Sequence, residues 1–564
     1  MEEILINKPG KKIILLGNEA IVRGALESGV NFVSSYPGTP ATDIGDTFYK
    51  IQNSRQRSGS LVSLRGRSEP KAAKFKIQNF YFEWSTNEKV ALEAAIGAAF
   101  SGLKSMVAMK NFGLNVCIEA LVPAMYTGIK GALVLVVADD VSCWSSAQSE
   151  QNSRAYSYLA HIPTLEPSDP QECKDFTNLA FQISEKFKTP VMIRTTTRVA
   201  HQRALVKLGE IKITSPGLVV GKFVKDPERW VTMPPRVLEI KKELLEKIEK
   251  IKDFSENSKI NFLIYGDRLS VDKWGVIVSG ISHLYVMEAL KELNLSLPIL
   301  KLGFFYPLPE RKIKNFIKNL KKVLIVEELE PYLEKEVERL AKNVNPKLKI
   351  FGKDLIPEVG ELKPEIVTST IAKFTNTKYQ ILYTKYQIPV LKRYPRLCPG
   401  CPYWLVLSAI KRAVKKKEVI FGGDIGCYML FGRPPLDFQD YLSCMGSSIG
   451  IAHGIKKTTN QKLIAFIGDS TFFHAGIPAL INTVFNKSNP LIIILNNETT
   501  AMTGHQPHPG KVIKIEDMVS ACGVKNLKVI DQGNQEEFIK TVKEFLEKDE
   551  VSVIVARRPC IFVK

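Results

Sequence analysis

The most constraining feature of this sequence is one strand–helix–strand unit near its C-terminus, LIAFIGDSTFFHAGIPALINTVFNKSNPLIIILNNETT at residues 463–500. Its two apolar runs predict buried parallel strands, the first ending at Gly468-Asp469 and the second at Asn496-Asn497. A right-handed crossover places both strand ends at one edge of a sheet. We therefore expect the Asp469 carboxylate and the Asn497 amide to lie close together.

These two side chains suit Mg²⁺, which binds carboxylate and amide oxygens and completes its octahedron with phosphate and water. A diphosphate ligand is therefore implied. Gly468 is expected to let the chain turn closely beneath that ligand, and the N-terminus of the following helix favours an anion. The alternative is that GDS and NN are ordinary strand-to-loop sequences. Their occurrence together around one strand–helix–strand unit favours the metal site.

Alternation of short apolar strands with helical patterns predicts an α/β protein with parallel sheets. The length of 564 residues fits about four domains. A Pro-rich connector and a charged helix separate the first α/β block from a smaller second one, and a third block ends the chain. The predicted domains are 1–200, 201–260, 261–375 and 376–564.

The composition excludes several classes of protein. Apolar residues make up 45% and charged residues 24%, which is ordinary globular usage. No apolar run approaches the ~18–20 residues that span a bilayer, and the N-terminus lacks the pattern of an export signal. We therefore expect a cytoplasmic protein that does not associate with membranes.

The net charge of +20 is compatible with a nucleic-acid partner. Much of the excess positive charge, however, is spread over lysine-rich helix faces such as 238–252. The exception is a basic stretch at 52–76, which lacks periodicity and is rich in Ser, Gly and Gln. We interpret it as a mobile basic insertion, with docking of an acidic protein and binding of nucleic acid as the alternatives. We expect no nucleic-acid partner for the chain.

Asp469 and Asn497 are 28 positions apart, and this separation matches the spacing of the thiamine-diphosphate fingerprint. Several longer motifs, in the same order as in that family, make the sequence similar to the large subunit of indolepyruvate:ferredoxin oxidoreductase, a 2-oxoacid:ferredoxin oxidoreductase. The motifs are GNEAIVRGALESGV (17–30), YPGTP (36–40), EWSTNEKVALEAAIGAA (83–99), CPGCP (398–402), GGDIGCYML (422–430), CMGSSIGIAHGI (444–455) and TTAMTGHQPHPG (499–510).

This resemblance implies a thiamine-diphosphate-binding fold, in which doubly wound pyrimidine and diphosphate domains with parallel sheets flank a smaller α/β domain. It implies oxidative decarboxylation of an aryl 2-oxoacid to its acyl-CoA, with electrons passed through a [4Fe–4S] cluster to ferredoxin. The implied partners are a smaller beta subunit, in a dimer of heterodimers, together with ferredoxin and coenzyme A.

The resemblance also assigns the metal site. The Asp469 carboxylate, the Asn497 side chain and the backbone carbonyl of Thr499 would bind Mg²⁺. Gly468 and Ser470, on either side of the aspartate, would lie against the cofactor.

Three further residues are assigned to the cofactor in the same way. Gly426 belongs to the GGDIGC motif. Met502 stands where relatives that act on small oxoacids carry a polar residue, so its apolar side chain suits an aryl group, although a methionine also fills cores. His505 is expected to contact the diphosphate or to act on the enamine, and its alternative is a purely structural role in its loop.

Two residues of the first domain are assigned to catalysis. Glu88 matches the glutamate that bonds N1′ of the aminopyrimidine ring. The residues alone favour a different role, because Ser85-Thr86-Asn87-Glu88 has the pattern of a capping box with Ser85 as N-cap. Thr39, in YPGTP, matches a threonine that contacts the substrate carboxyl or carbonyl group, and its alternative is a turn residue between two prolines.

Four cysteines are assigned to the redox reaction. Cys398 and Cys401 form a CPGC clamp, whereas Cys427 and Cys560 follow strands. The resemblance implies that they hold one [4Fe–4S] cluster, although thiolates suit zinc equally and free thiols in a Pro-Gly turn are the structural alternative. The other cysteines are expected in the core: Cys117, Cys143, Cys173, Cys444 and Cys522.

Two departures from the family matter. Its large subunit usually continues into a ferredoxin-like domain, whereas this sequence ends four residues after Cys560, so we expect electrons to leave through another protein. The loop at 138–154 also deviates, which leaves the substrate and any role of Arg154 open. The rival functions are a non-oxidative decarboxylase, which needs no clustered thiolates, and a non-catalytic subunit that binds thiamine diphosphate or zinc.

Overall fold

The computed structural model describes residues 2–59, 80–145, 148–212, 220–265, 273–379 and 395–563. The chain divides into two compact units, residues 1–387 and 388–564. No helix in these described ranges is long and apolar enough to cross a membrane.

The first unit contains two α/β layers and a small ribbon. Its strands are β1 (Lys12–Leu16), β2 (Phe32–Ser35), β3 (Tyr81–Trp84), β4 (Lys104–Lys110), β5 (Ala132–Asp139), β6 (Thr164–Leu165), β7 (Val191–Thr196), β8 (Arg203–Lys207), β9 (Phe262–Ile264), β10 (Trp274–Ser279), β11 (Ile299–Leu302), β12 (Phe304–Tyr306), β13 (Lys322–Val326) and β14 (Lys349–Phe351). Its helices are α1 (Gly17–Ser28), α2 (Thr42–Gly59), α3 (Glu88–Phe100), α4 (Asn111–Thr127), α5 (Arg154–Ala160), α6 (Pro170–Phe187), α7 (Thr197–His201), α8 (Pro227–Trp230), α9 (Arg236–Asn257), α10 (Ser282–Glu292), α11 (Glu310–Ile317), α12 (Tyr332–Val344) and α13 (Pro364–Thr375).

A seven-stranded sheet with the order β12-β6-β7-β5-β4-β2-β3 forms the first layer. Its strands pair in parallel, apart from the antiparallel edge strand β12. Every residue of β5 is buried, as expected for an inner strand covered by helices on both faces. The parallel sheet predicted from the alternation is therefore confirmed.

Two local predictions about this unit are wrong. The parallel pairing predicted for the α/β blocks does not extend to the apolar run at 12–16, because β8 returns beside it after β7 and β1 pairs antiparallel with β8 in a separate ribbon. Residues 52–59 of the predicted irregular insertion belong to helix α2. Residues 60–76 of that insertion lie outside the described residues.

The second layer is a five-stranded sheet with the order β14-β13-β10-β11-β9, in which β9 runs antiparallel. The predicted charged helix is α9, whose buried face includes Ile240, Leu244, Ile248 and Ile251. This spacing of three and four residues places the apolar side chains on one face of the helix. The domain boundaries drawn from the sequence stay a prediction.

Arg154 has a structural position in this unit. Its buried guanidinium lies 2.6 Å from Glu166, which follows β6, and 2.5 Å from Glu327, which follows β13. A buried charge needs such partners, and here they join the two sheets of the first unit. This ion-pair network answers the open question of what Arg154 does in its unusual loop.

The second unit contains a five-stranded parallel sheet with the order β15-β16-β17-β19-β18. The sequence predicted all of these strands but β18, whose burial pattern is only partly alternating. The strands are β15 (Val419–Gly422), β16 (Lys462–Gly468), β17 (Leu491–Asn496), β18 (Asn526–Asp531) and β19 (Ser552–Arg557), and the helices are α14 (Tyr403–Ala413), α15 (Ser447–Thr458), α16 (Asp469–Thr471), α17 (Ile477–Phe485), α18 (Ile515–Ala521) and α19 (Gln535–Phe545).

Candidate active site

Asp469 follows strand β16, and its carboxylate binds the backbone at the end of strand β17. Its Oδ2 accepts the backbone N–H groups of Asn497 and Glu498 at 3.1 and 2.8 Å, and its Oδ1 accepts that of Ser470 at 2.8 Å. The two strands pair in parallel, so their carboxyl ends meet at one edge of the sheet. The structure thus brings Asp469 and Asn497 together, as the predicted crossover requires.

The groups at this edge fit a divalent cation. Asp469, Asn497 and Thr499 are all buried, and the Asn497 side-chain oxygen accepts the backbone N–H of Thr499 at 3.3 Å. A buried carboxylate needs a compensating positive charge or hydrogen-bond donors. Carboxylate, amide and carbonyl oxygens are the hard ligands that Mg²⁺ prefers.

His508 is a neighbour of Asp469 that the sequence did not single out for this position. Its Nε2 lies 3.2 Å from Asp469 Oδ2, and its Nδ1 accepts the backbone N–H of Gly510 at 3.1 Å. The signal available in the sequence was its position within the cofactor loop.

The requirement for glycine at 426 and 468 has a different origin from the one predicted. Gly468 has φ −81° and ψ 162°, a conformation that any residue adopts. A Cβ at Gly468 would instead lie 2.9 Å from the ring of Tyr428, and one at Gly426 would lie 2.5 Å from the same ring. At 468, packing against Tyr428 rather than a tight turn therefore excludes larger side chains, whereas at 426 the positive φ of 156° disfavours them as well.

The remaining predicted cofactor residues lie in and beside the loop after β17. The Ser470 hydroxyl accepts that of Thr500 at 3.1 Å. Met502 is 43% exposed, so it does not fill the core of its unit. His505 is exposed, and its ring lies 6.0 Å from that of Phe562.

The four predicted cluster cysteines lie in one region of the second unit. In the CPGC turn the backbone N–H of Cys401 donates to the carbonyl of Cys398 at 3.1 Å, and that of Cys560 donates to the carbonyl of Asn497 at 3.0 Å. Burial, together with the nearby thiols of Cys401, Cys560 and Cys398, raises the pKa of Cys427 to about 12. The structure thus brings the four thiols near one another and near the edge formed by Asp469.

In the part of the chain that the structure describes, no three His, Cys, Asp or Glu side chains are arranged closely enough to hold a metal ion. The cysteines outside this region were expected in the core, and the expectation is right for Cys117 and Cys173. Cys444 is exposed, whereas Cys143 and Cys522 are half-buried.

The predicted capping box at Glu88 is wrong. Helix α3 begins at Glu88, and its N-cap is Asn87, whose side chain accepts the backbone N–H of Val90 at 2.9 Å. The Ser85 hydroxyl donates to Glu83 instead. Glu88 is buried, and a Cβ at Gly113 would lie 2.5 Å from its Cγ. Its carboxylate therefore lies against the first turn of α4, and the side chain that caps α3 is that of Asn87.

Thr39 lies in the loop after β2, next to a cis peptide bond to Pro40. The Ser145 hydroxyl donates to its backbone carbonyl at 3.2 Å. Thr39 is half-buried, so its position suits contact with a ligand at the carboxyl edge of the first sheet.

Lys110 and Asn111 are residues at this edge that the sequence reasoning missed. Lys110 ends strand β4, and the fully buried Asn111 begins helix α4. Lys110 is close enough to Asp140 and Glu88 for their charges to act on it. Their position directly between a predicted strand and a predicted helix was the signal that could have identified them.

Two family models match the chain. Residues 23–235 match "Pyruvate flavodoxin/ferredoxin oxidoreductase, thiamine diP-bdg", and residues 424–556 match "Thiamine pyrophosphate enzyme, C-terminal TPP binding domain". The first match covers most of the seven-stranded sheet, and the second covers the sheet of the second unit apart from strand β15. The predicted thiamine-diphosphate-binding fold is thereby confirmed.

Relatives and solved structures add the following similarities. An indolepyruvate oxidoreductase subunit IorA of Methanothermobacter thermautotrophicus is 41% identical, over 100% of this chain and 89% of its own length. The IorA subunit of Pyrococcus abyssi is 42% identical, over 99% and 87%. A 2-oxoglutarate:ferredoxin oxidoreductase from Magnetococcus marinus covers 64% of this chain and 65% of its own, with 16% identity and a TM-score of 0.48.

Proposed function

Because this chain belongs to the indolepyruvate oxidoreductase IorA family, within the 2-oxoacid:ferredoxin oxidoreductases, we propose that it acts on an aryl 2-oxoacid of the indolepyruvate kind. The chain is a subunit of a thiamine-diphosphate-dependent 2-oxoacid oxidoreductase. The proposed reaction is oxidative decarboxylation to the acyl-CoA. The exposed, apolar Met502 in the cofactor loop supports an aryl rather than a carboxylate-bearing side chain.

When bound, thiamine diphosphate would supply the nucleophile for chemistry at the 2-oxo carbon. The chain's own residues would bind and orient that cofactor. Asp469, the Asn497 side chain and the Thr499 carbonyl would hold the Mg²⁺ that neutralises the diphosphate. Glu88 would bond N1′ of the aminopyrimidine. The burial of Asp469 and Glu88 supports these roles, because Asp469 directly follows strand β16 and Glu88 begins the helix that follows strand β3, both on the side of a sheet where ligands bind.

Four thiolates would hold the redox group that carries the electrons. We propose that Cys398, Cys401, Cys427 and Cys560 hold one [4Fe–4S] cluster that passes electrons singly to ferredoxin. The observation that carries this proposal is the hydrogen bond from the Cys560 backbone to the Asn497 carbonyl, since it ties a cluster cysteine to the cofactor edge of the same unit.

The partners follow from the same family. We propose that the chain assembles with a smaller beta subunit into a dimer of heterodimers, and that coenzyme A receives the acyl group. Thr39 would contact the carboxyl or carbonyl group of the substrate, because it lies on the loop after β2 at the carboxyl edge of its sheet.

The test is an anaerobic co-production of the chain with its smaller subunit. Indolepyruvate, phenylpyruvate, pyruvate and 2-oxoglutarate are supplied in turn with coenzyme A and ferredoxin, and acyl-CoA and reduced ferredoxin are measured. We expect the aryl substrates to give the highest kcat/KM. Release of aldehyde and CO₂ without an electron acceptor would identify a non-oxidative decarboxylase instead, and a lack of turnover with bound zinc would identify a non-catalytic subunit.

A further inference from the structure

Lys110 stands at the centre of the carboxyl edge of the seven-stranded sheet. It ends β4, which lies between β5 and β2. The loop after β2 carries Thr39, the end of β5 is followed by Asp140, and the helix after β3 begins with Glu88. Ligands of parallel α/β sheets bind at this edge. Lys110 is therefore surrounded by the groups proposed to act on cofactor and substrate.

The stem of Lys110 runs along the loop that carries Thr39. A Cβ at Gly38 would lie 3.0 Å from Lys110 Cγ and 3.2 Å from its Cδ. The ammonium lies 5.0 Å from the centroid of the Phe112 ring, and the residue as a whole is half-buried. Lysine commonly buries its methylene stem in this way while its charged end stays accessible to a polar group.

The charges around Lys110 favour an anionic ligand. Burial lowers the pKa of Lys110, and the carboxylates of Asp140 and Glu88 act in the opposite direction. The Asp140 carboxylate also accepts hydrogen bonds from uncharged groups: its Oδ2 accepts the N–H and hydroxyl of Ser145 at 2.9 Å each, and its Oδ1 accepts the Thr197 hydroxyl at 2.9 Å. An ammonium that has lost part of its hydration gains strongly from a carboxylate partner.

Asn111 provides a second, independent sign of a ligand. Its side chain is fully buried, and its amide nitrogen and oxygen have no hydrogen-bond partner among the residues that the structure describes. Buried amides are almost always paired, because an unpaired one loses its hydrogen bonds to water without replacement. A ligand at this strand end would supply the missing partner.

We propose that the Lys110 ammonium pairs with the carboxylate of the 2-oxoacid substrate and that the Asn111 amide donates a second hydrogen bond to the same ligand. This inference rests on the proposed function. It makes Lys110 the residue that distinguishes a 2-oxoacid from the corresponding aldehyde, because the carboxylate is the group by which the two differ. The pairing is made in the substrate complex and ends when CO₂ leaves.

The test compares Lys110→Met, Lys110→Arg and Asn111→Ala in the complete enzyme, with phenylpyruvate as substrate. Loss of a hydrogen bond to a charged group predicts a rise in KM of about 10- to 100-fold for Lys110→Met, and loss of a neutral donor a rise of about 3- to 10-fold for Asn111→Ala. Lys110→Arg should recover most of the KM. The matched control is Lys104→Met, at the other end of β4, where the lysine pairs with Glu185 at 2.9 Å.

The outcomes are distinguishable. Turnover of phenylpyruvate by the wild-type enzyme tests the proposed function before any variant is made, and its absence overturns both proposals. With an active wild type, an increased KM at unchanged thiamine-diphosphate content supports the carboxylate contact. A KM of Lys110→Met within twofold of the wild type overturns the carboxylate contact. A fall in kcat and cofactor content that Lys110→Arg does not reverse also overturns it, because a lysine with a purely structural role would give that pattern.

Discussion

Nε2 of His508 lies 3.2 Å from Oδ2 of Asp469. The same carboxylate oxygen accepts the backbone N–H groups of Asn497 and Glu498. The aspartate is therefore held in one orientation by hydrogen bonds from the end of the neighbouring strand, and a histidine from the following loop lies beside it. Its fixed position suits a metal ligand, because little conformational entropy remains to be lost when the metal binds.

The first prediction concerns cofactor loading. Asp469→Asn preserves the shape of the side chain and removes its charge, so Mg²⁺ and thiamine diphosphate should bind at least about 10-fold more weakly. Retained cofactor is measured after gel filtration. The exposed Asp517→Asn on α18 is the matched control and should retain wild-type content. Full loading and normal turnover of Asp469→Asn would contradict the metal assignment.

The second prediction separates catalysis from capping in helix α3. Glu88→Gln cannot protonate the aminopyrimidine, so turnover should fall by about 10²- to 10⁴-fold while folding is unchanged. Asn87→Ala removes the observed cap and should lower the free energy of unfolding by about 1 kcal/mol with turnover within twofold. Steady-state kinetics and thermal unfolding of both variants check this. Near-normal turnover of Glu88→Gln would leave Glu88 without a catalytic role.

The third prediction concerns iron. If Cys398, Cys401, Cys427 and Cys560 hold one cubane, anaerobically purified chain should contain about four iron atoms. Cys401→Ser should lose most of this iron and stop ferredoxin reduction, but should keep thiamine diphosphate, because the proposed Mg²⁺ ligands are other residues. Cys522→Ser, half-buried at the end of α18, is the control. Zinc in place of iron would contradict the redox assignment.

The fourth prediction is a pH dependence of stability at Glu328. Burial raises its pKa to about 7 from an ordinary value of 4.5, despite the nearby Arg194. The folded chain then binds this proton more tightly than the unfolded chain, so stability falls as the pH rises from about 4.5 to 7. The Glu328→Gln variant has no carboxyl group to ionise, so its stability should not fall in this way, and its side chain can still accept the Leu362 N–H.

The difference in stability between Glu328→Gln and the wild type should therefore grow in favour of the variant by about 1–3 kcal/mol between pH 4.5 and 8. Thermal midpoints across this range measure it. Glu330→Gln, at an exposed position two residues further on, should show no such trend. A constant difference across the range would show that folding does not raise the pKa of Glu328.

The sequence alone was sufficient to predict those features that depend on the geometry of one continuous chain segment. The apolar runs of β16 and β17 and the crossover between them required Asp469 and Asn497 to meet, whatever the rest of the chain does. The spacing of Ile240, Leu244, Ile248 and Ile251 likewise required an amphipathic α9. The motifs that resemble the oxidoreductase family identified the fold and the cofactor in the same way, because their residues lie within continuous segments.

Only the tertiary structure decided those features that depend on contacts between segments distant in sequence. The sequence pattern favoured Ser85 as the cap of helix α3, whereas in the structure Asn87 is the cap and the Ser85 hydroxyl donates to Glu83. The need for glycine at 468 comes from the ring of Tyr428, and β1 leaves the parallel sheet because β8 returns beside it. The proposed role of Lys110 likewise depends on its proximity to Gly38 and Asp140, which are distant from it in sequence but close to it in the folded chain.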